Sequence, residues 1–478
     1  MAVHTQPNRE ELHIGGVWRT PENRIEVADL ADGGRFTRVA AATPADAEDA
    51  LAAADQAERP LRNTTTVQRA EWVSAIATGI EDRKEELAEV IVREAGKPIS
   101  SARSEVDAAA ERFRRAAEEA RSLEGEYLEG TTESHEGWRA IVRKEPVGTV
   151  LCITPYNYPL STTALQVAPA LAAGNAVILK PATKTPVSGA ILAEIIVEQA
   201  PDLPDGAVAF VPGRASDIGD VLAGDDRLDA IAMTGSSSAG KHVASVSGMV
   251  ELHMELGGNA PAVIFPDADL GAAAEAATAG SLKYAGQRCS AISRVLVHES
   301  VHDEFVDRLD AEMDGWSAGD LFDPETKLGP LISESQADRV EELVDDAVER
   351  GATLVSGGDR DGRYVEPTLL ANVPPEARLV HEEQFGPVVA VTAFGDEAEA
   401  RSTANSGDLG LDAAVFTSDY DRAMRMADDL EAGGVRINGA PSHGLGDIPF
   451  GGVKDSGIGR EGLGVTIEAF VQRKSIVL

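Results

Sequence analysis

Residues 148–180, GTVLCITPYNYPLSTTALQVAPALAAGNAVILK, contain two short apolar runs with a helical segment between them. The runs GTVLCIT and NAVILK are predicted strands, and AVAFVPG and LDAIAMTG follow after further helical segments. Strands that alternate with helices at this spacing are typical of parallel βαβ units. This part of the sequence therefore predicts an open α/β sheet.

A second series of apolar runs begins near Met249. It comprises MVELHME, PAVIF, SRVLVHE, TLVSGG, VVAVTAF, DAAVFTS and GVRIN, again with helical segments between the runs. We therefore predict an α/β protein with two doubly wound α/β domains that meet near residues 250–258.

Helix signals dominate residues 43–122. Thr43, Pro44 and Asp46 indicate a helix start, and the helical period of residues 66–98 ends at Gly96 with a proline just beyond. Another amphipathic helix is predicted over residues 101–123. Residues 124–143 and the C-terminal VQRKSIVL fit neither series, and as strands that need a partner they favour a homo-oligomer.

The charge balance is strongly acidic, with 80 acidic and 43 basic side chains and a formal net charge of −37. Such a surface repels nucleic acid and anionic lipid, so neither is an expected partner. The composition also predicts a halophilic source, because molar salt screens self-repulsion within a few ångströms.

The two cysteines cannot form a disulfide framework, and the sequence has no CxxC pair or Cys/His cluster that would indicate a metal site. The N-terminus lacks the apolar segment of a secretory signal. The longest uncharged run, residues 146–179, is interrupted by prolines and glycines and is predicted to be buried core, not a membrane span. A reducing, cytoplasmic location follows.

Cys289 lies in the stretch YAGQRCSA, after Arg288 and among small residues. Small neighbours give access and the arginine supplies a positive charge, which is the setting of a nucleophilic thiol. Spacing alone leaves an incidental buried cysteine as an equal alternative. Cys152, within the apolar run VLCIT, is predicted to be core.

Three other residues follow predicted strands and could serve the same site. Glu255, in MELGG, could be a partly desolvated base. Asn157, in ITPYNYP, could donate to an oxyanion, and Lys180, in ILKPATKTP, lies at the edge where open α/β sheets bind ligands. Each signal is weak alone, since such residues are more often solvated turn residues.

Taken in order along nearly the whole chain, these motifs resemble the aldehyde dehydrogenase superfamily. The resemblance rests on EPVGTVLCITPYNYP, GNAVILKPAT, MTGSSSAG, MELGGNAPAVIFPDADL, YAGQRCSA, LGPLIS, EEQFGPVVAV and IPFGGVKDSGIGREG. It implies a cofactor-binding domain (residues 1–123 and 146–250), a catalytic domain (residues 251–438) and oligomerisation strands (residues 124–145 and 466–478) that assemble a dimer or tetramer.

The resemblance also implies a role for each matching residue. Cys289 would attack the aldehyde carbonyl to give a thiohemiacetal, and Asn157 with the backbone N–H of Cys289 would hold the oxyanion. Loss of hydride to a nicotinamide would leave a thioester, and Glu255 would activate the water that releases the acid. Glu383 would bind the nicotinamide-side ribose, with Phe385 against the ring.

Further cofactor contacts are implied for Thr154, Pro155 and Leu256. The turns VPGRASDIG and TGSSSAG offer Gly213, Gly219, Gly235 and Ser236 for phosphate at helix N-termini, although alone they are equally well ordinary tight turns.

The position three residues after Lys180 bears on the choice of dinucleotide. NAD-preferring relatives often have glutamate there, whereas this chain has Thr183. Without that carboxylate a 2′-phosphate is not repelled, and Lys180 can pair with it. We therefore favour NADP over NAD.

For the substrate, Tyr158 and Arg288 resemble the non-phosphorylating glyceraldehyde-3-phosphate dehydrogenases. Two arginines of that phosphate site are replaced by Ala108 and His443, and nearby candidates to compensate are Arg112, Arg114 and Arg115. Lactaldehyde and succinate-semialdehyde dehydrogenases are similar too, so a small hydroxy- or carboxy-aldehyde is an alternative substrate. A coenzyme A-acylating dehydrogenase and a cysteine hydrolase are the rival activities.

Overall fold

The computed structural model describes residues 10–442, 448–462 and 464–478. The N-terminal part contains short strands followed by long helices: β1 (Leu12–Ile14), β2 (Val17–Arg19), β3 (Arg24–Ala28), β4 (Arg35–Ala40), α1 (Pro44–Arg62), α2 (Thr66–Asp82), α3 (Lys84–Ala95) and α4 (Ile99–Ser122). Strands and helices then alternate: β5 (Glu126–Glu129), β6 (Arg139–Pro146), β7 (Thr149–Ile153), α5 (Ser161–Ala173), β8 (Ala176–Lys180), α6 (Val187–Gln199), β9 (Val208–Phe210), α7 (Ala215–Ala223), β10 (Ala230–Thr234), α8 (Ser237–Val246) and β11 (Glu251–Glu255).

The alternation continues through the second half: β12 (Ala260–Ile264), α9 (Leu270–Leu282), β13 (Ile292–His298), α10 (His302–Met313), α11 (Glu334–Glu349), β14 (Thr353–Ser356), β15 (Arg360–Asp361), β16 (Tyr364–Val365), β17 (Thr368–Ala371), α12 (Arg378–His381) and β18 (Val388–Phe394). The C-terminal part contains α13 (Glu397–Ala404), β19 (Leu409–Gly410), β20 (Asp412–Phe416), α14 (Tyr420–Asp429), β21 (Gly434–Ile437), β22 (Val453–Lys454), β23 (Gly457–Ile458), α15 (Val465–Ala469) and β24 (Val471–Val477).

The first large sheet has the strand order β2-β1-β9-β8-β7-β10-β11-β23 among the described residues. Its central strands β9, β8, β7, β10 and β11 are parallel, and helices separate them along the chain. The four apolar runs predicted as strands are all central members of this sheet. The predicted α/β class is confirmed.

The second large sheet has the order β14-β17-β18-β13-β12-β20-β21 and is parallel except at the β14 edge. The sequence analysis missed β17, whose four residues are too short to give a period. It was wrong about MVELHME, because β11 does not begin this sheet and pairs in parallel with β10 of the first. An apolar run does not indicate which of two sheets will satisfy its backbone hydrogen bonds.

The predicted helix starts and stops are largely correct. Thr43 and Asp46 form a capping box at the start of α1, and Gly96 ends α3 in a left-handed conformation, with φ +72°. The helical period before Gly96 is divided into two helices, since the chain leaves helical geometry at Arg83.

A small antiparallel sheet, β24-β6-β5, contains the two segments that fitted neither series. It leaves Tyr127, Leu128, Trp138 and Ile141 exposed. Among the described residues, every helix is too short or too polar to cross a bilayer. The domain limits drawn from the sequence remain a prediction.

Candidate active site

A cavity of about 1070 Å³ lies where the loops after β7, β10 and β11 meet the turn that precedes Cys289. Its wall contains most of the residues selected from the sequence: Thr154, Pro155, Asn157, Tyr158, Gly235, Ser236, Leu256, Arg288, Cys289, Glu383 and Phe385. Within the described part of the chain, the wall does not include Lys180, Thr183, Gly213, Gly219 or Glu255.

The turn that leads to Cys289 is strained. Tyr284 and Ala285 have φ of +56° and +51°, a left-handed conformation that costs free energy in residues other than glycine. The Tyr284 hydroxyl donates to the Ala95 carbonyl at 2.6 Å, and a Cβ at Gly286 would come within 2.0 Å of the Gly386 carbonyl oxygen. These contacts fix the path of the chain into the cavity.

The Cys289 side chain is partly exposed, whereas Cys152 is fully buried in β7, as predicted. Burial raises the pKa of the Cys289 thiol, and the nearby carboxylates of Asp412 and Glu383 raise it further. Arg288 acts in the opposite direction but is outweighed. The arginine therefore favours the thiolate, but its effect is smaller than the combined effect of burial and the carboxylates.

Asn157 is buried beside the cysteine. Its Nδ2 donates to the carbonyl of Gln287, two residues before Cys289, at 2.9 Å. The Gln287 side chain is itself fixed, because its Oε1 accepts from the Ile332 backbone N–H at 2.9 Å. An amide nitrogen carries two hydrogens, so Asn157 has a second one to offer.

Glu255 ends β11 and is 1% exposed. Its two carboxylate oxygens have no hydrogen-bond partner among the described residues. A Cβ at Gly451 would lie 2.5 Å from Oε1, so the carboxyl group occupies space that only glycine leaves open. Burial raises the pKa of Glu255 well above its usual value, Glu461 raises it further, and Arg460 opposes the shift.

At the carboxyl end of β8, Ala182 lines the cavity, whereas Lys180 and Thr183 do not. Lys180 is 5% exposed, and burial lowers its pKa to about 8. Thr183 Oγ1 donates to the Gly213 carbonyl at 3.2 Å, so the turn before α7 is brought to the end of β8. The prediction that Gly219 lies in a turn is wrong, because this residue is inside α7.

Glu383 and Phe385 also line the cavity. Glu383 Oε1 accepts from the Gly258 N–H at 3.0 Å, and burial raises the pKa of Glu383 to about 7. Phe385 packs edge-on against Tyr156, with ring centroids 5.8 Å apart.

The residues present fit a dinucleotide. The cavity extends from Ala182 past Ser236 to Cys289, and Thr154 Oγ1 is a buried polar atom without a partner among the described residues. A Cβ at Gly257 would come within 2.8 Å of Glu383 Oε2, so glycine keeps this wall open.

The aldehyde dehydrogenase family model matches residues 18–476. The chain belongs to the aldehyde dehydrogenase family. It is 36% identical over 480 residues to 3-sulfolactaldehyde dehydrogenase of Priestia megaterium, with 100% of both chains covered. It is 38% identical over 467 residues to NADP-dependent glyceraldehyde-3-phosphate dehydrogenase of Streptococcus equinus, which covers 97% of this chain and 98% of that one.

The solved structures agree with this assignment. NADP-dependent glyceraldehyde-3-phosphate dehydrogenase from Bacillus halodurans C-125, complexed with NADP, superposes with a TM-score of 0.96 at 36% identity, covering 98% and 99% of the two chains. The protein is thus an aldehyde dehydrogenase, an oxidoreductase. The prediction of NADP or NAD as cofactor is confirmed at that level.

The sequence analysis missed a buried ion pair in this aldehyde dehydrogenase. Lys97 Nζ donates to Glu105 Oε2 at 2.5 Å and lies 3.4 Å from the centroid of the Tyr158 ring. Glu105 Oε1 accepts from the backbone N–H groups of Leu160 and Ser161 at 3.0 and 3.1 Å. In the sequence, Lys97 appeared only as part of a helix end.

The structure also distinguishes the three arginines of α4. Arg112 lines the cavity and donates through Nη1 to the Ser161 carbonyl, while its Nε has no partner among the described residues. Arg114 and Arg115 are engaged instead in ion pairs with Glu81 and Glu111. Ala108 lines the cavity as well, and His443 lies outside the described residues.

We expect Lys97→Met to destabilise the protein by about 3–5 kcal/mol, because it leaves the buried Glu105 carboxylate without its counter-ion. The double variant Lys97→Met with Glu105→Gln should recover part of the loss, since the uncompensated charge is removed. Denaturant unfolding followed by tryptophan fluorescence measures both. A double variant less stable than the single one would contradict the assigned role of this pair.

Proposed function

We propose that this aldehyde dehydrogenase oxidises a small aldehyde that carries an anionic group, with NADP as the favoured cofactor. The supporting observation is an inversion of charge. The chain as a whole has a net charge of −37, yet the side chains that line the cavity include five basic and three acidic ones. The basic ones are Lys97, Arg112, Lys283, Arg288 and Arg339, and the acidic ones are Glu105, Glu383 and Glu461.

The three acidic groups are partly neutralised, and burial raises the pKa of Glu383 to about 7. Glu105 is paired with Lys97. Burial raises the pKa of Glu461 to about 7, although Arg112 opposes the shift, so near neutral pH this group is partly protonated. The lining of the cavity therefore has more positive than negative side chains, which favours an anionic ligand, although Asp412 and Glu383 act on Cys289 itself.

In the proposed mechanism, the partly exposed Cys289 thiol loses its proton to solvent, and the resulting thiolate Sγ forms a bond to the aldehyde carbon. The carbonyl oxygen becomes an oxyanion, which the free hydrogen of Asn157 Nδ2 and the Cys289 backbone N–H stabilise by a few kcal/mol. A nicotinamide held beside Glu383 and Phe385 would supply the acceptor for the hydride that leaves this carbon. What remains on Cys289 is a thioester, whose hydrolysis regenerates the thiol and gives the acid.

Glu255 is the proposed base for the attacking water. Burial raises the pKa of this carboxyl group, which makes its carboxylate a stronger base, and its two unpartnered oxygens are available to accept a proton. This property counts against the coenzyme A-acylating alternative, which needs no activated water. The cysteine-hydrolase alternative normally requires a histidine base, and the sequence next to Cys289 offers none.

Glu255→Gln should give about one equivalent of reduced cofactor per active site and then slow turnover, because acylation precedes the step that needs the base. Mass spectrometry of the quenched variant should find an acyl adduct on Cys289. Cys289→Ala is the matched control and should give neither burst nor adduct. Loss of the burst in Glu255→Gln would assign the glutamate to an earlier step.

The preference for NADP rests on the residues after β8. Lys180 has no carboxylate partner among the described residues, and Thr183 occupies a place where a glutamate would repel a 2′-phosphate. Two relatives at 36–38% identity are named as NADP-dependent enzymes, which supports the same choice.

Thr183→Glu should lower the ratio of kcat/KM with NADP to that with NAD by roughly tenfold or more, since each ~1.4 kcal/mol of repulsion is a factor of ten. Thr183→Ser keeps the hydroxyl group and should leave the ratio close to that of the wild type. Steady-state kinetics with both dinucleotides provide the test. An unchanged ratio in Thr183→Glu would place the 2′-phosphate elsewhere.

Assembly and location belong to the same proposal. We place the cofactor-binding domain in residues 1–123 and 146–250 and the catalytic domain in residues 251–438, with β11 added to the former because it joins the first sheet. The small sheet β24-β6-β5 is the proposed homo-oligomer contact, supported by the exposed side chains of Tyr127, Leu128 and Trp138. We also propose a reducing, cytoplasmic location, which the two unpaired cysteines support, and a halophilic source, which the acidic composition supports.

Aldehydes of similar size but different charge test the substrate class. Glyceraldehyde-3-phosphate, a sulfonated aldehyde and succinate semialdehyde should each exceed lactaldehyde in kcat/KM by about tenfold at low salt, because only the first three carry a charge that the cavity can pair. Added salt should remove only the long-range part of this difference, because contacts at hydrogen-bond distance are screened much less. Equal values for charged and uncharged aldehydes would reject an anionic substrate.

A further inference from the structure

Lys283 lies at the start of the strained turn that ends at Cys289. Its backbone is extended, with φ −54° and ψ 128°, and the two left-handed residues Tyr284 and Ala285 follow directly. The side chain is partly exposed and lines the same cavity as Tyr158, Arg288 and Cys289. Lys283 therefore lies at the solvent-exposed edge of the part of the cavity that contains Cys289.

The electrostatic neighbours of Lys283 are cations. Arg288 lowers the pKa of Lys283, in addition to the effect of burial, and both residues lower the pKa of Lys97. Arg288 Nη2 donates a hydrogen bond to Ser290 Oγ at 3.2 Å. In the part of the chain that the structure describes, neither Lys283 nor Arg288 forms an ion pair.

This arrangement is unfavourable without an anion. Two like charges that line the same cavity repel each other when no counter-ion lies between them. The sequence has 80 acidic side chains for 43 basic ones, so carboxylate partners are abundant elsewhere on the molecule. An anionic group between the two side chains would convert this repulsion into two charge-assisted hydrogen bonds.

The other basic residues of the cavity are already engaged. Lys97 is paired with Glu105 and lies between the rings of Tyr158 and Tyr284. Arg112 donates to the Ser161 carbonyl and faces Glu461. Lys283 and Arg288 have no ion pair among the described residues and can therefore bind the anionic group of a substrate.

We infer that Lys283 is a specificity-determining residue, which with Arg288 forms a two-pronged site for the phosphate, sulfonate or carboxylate group of the aldehyde. The inference rests on the proposed function, because it assigns the recognition of the anionic group to particular atoms. The two cations flank the turn at its beginning and its end, and Cys289 follows the second. Holding the anionic group between them places a short aldehyde with its carbonyl at the thiol.

Lys283→Met should raise KM for glyceraldehyde-3-phosphate by about tenfold, which corresponds to the ~1.4 kcal/mol of one charge-assisted contact. KM for uncharged glyceraldehyde, which has the same carbon skeleton, should change by less than about twofold. Lys283→Arg keeps the charge and should restore KM for the phosphorylated aldehyde. Lys327→Met is the matched control, since it removes one exposed lysine that does not line the cavity.

A second readout does not depend on turnover. Succinate and 3-phosphoglycerate should protect Cys289 from alkylation in the wild type and in Lys283→Arg, but only weakly in Lys283→Met and Lys283→Gln. A purely structural effect of Lys283 would instead lower kcat with charged and uncharged aldehydes alike.

The outcomes separate the two levels of the proposal. A wild-type enzyme that does not prefer charged aldehydes would overturn the proposed function. A wild type that prefers them, with Lys283→Met retaining both the preference and the protection, would overturn the inference about Lys283 alone.

Discussion

The buried ion pair between Lys97 and Glu105 joins three segments that must meet for the active site to exist. Glu105 comes from α4, and its carboxylate accepts from the backbone at the start of α5, which fixes the loop that carries Asn157. The Lys97 ammonium lies between the rings of Tyr158, in that loop, and Tyr284, in the strained turn before Cys289. A charge pair this deeply buried is stable only when further hydrogen bonds satisfy both partners. The loop of the oxyanion donor and the turn of the nucleophile therefore share one electrostatic anchor.

A second buried carboxylate, beside the first sheet, also accepts from backbone N–H groups at the start of a helix. The Glu94 carboxylate, at the end of α3, accepts from the backbone N–H groups of Val187 and Ser188 at 2.7 and 3.0 Å, at the start of α6. A negative side chain at a helix N-terminus satisfies unpaired donors and interacts favourably with the helix dipole. The helices that follow β7 and β8 are thus held from outside the sheet by α3 and α4. The loops that precede α5 and α6 are therefore fixed at the ends where they join these helices.

The parts that could be predicted from sequence are those with a local signal. Apolar runs indicated the central strands, and the small residues around Cys289 indicated an accessible thiol, which lines the cavity together with Asn157 and Glu383. Contacts between distant residues left no such signal. Lys97 is recognisable only once Tyr158 and Tyr284 are beside it, β11 could have joined either sheet, and Gly219 was assigned to a turn because a glycine does not reveal that it lies within a helix.

The surface of the protein is strongly acidic, whereas several basic side chains line the cavity. This contrast limits the ways in which an anionic substrate can be attracted to the site. In the molar salt that the composition predicts, charges are screened beyond ~3 Å, so long-range steering contributes little. Contacts at hydrogen-bond distance persist, because ions cannot enter between the partners. Recognition of an anionic aldehyde under these conditions must therefore depend on side chains that touch it, and Arg288 and Lys283 line the cavity without an ion pair among the described residues. A strongly negative protein can in this way bind a negative substrate, since repulsion by the surface is screened and attraction within the site is not.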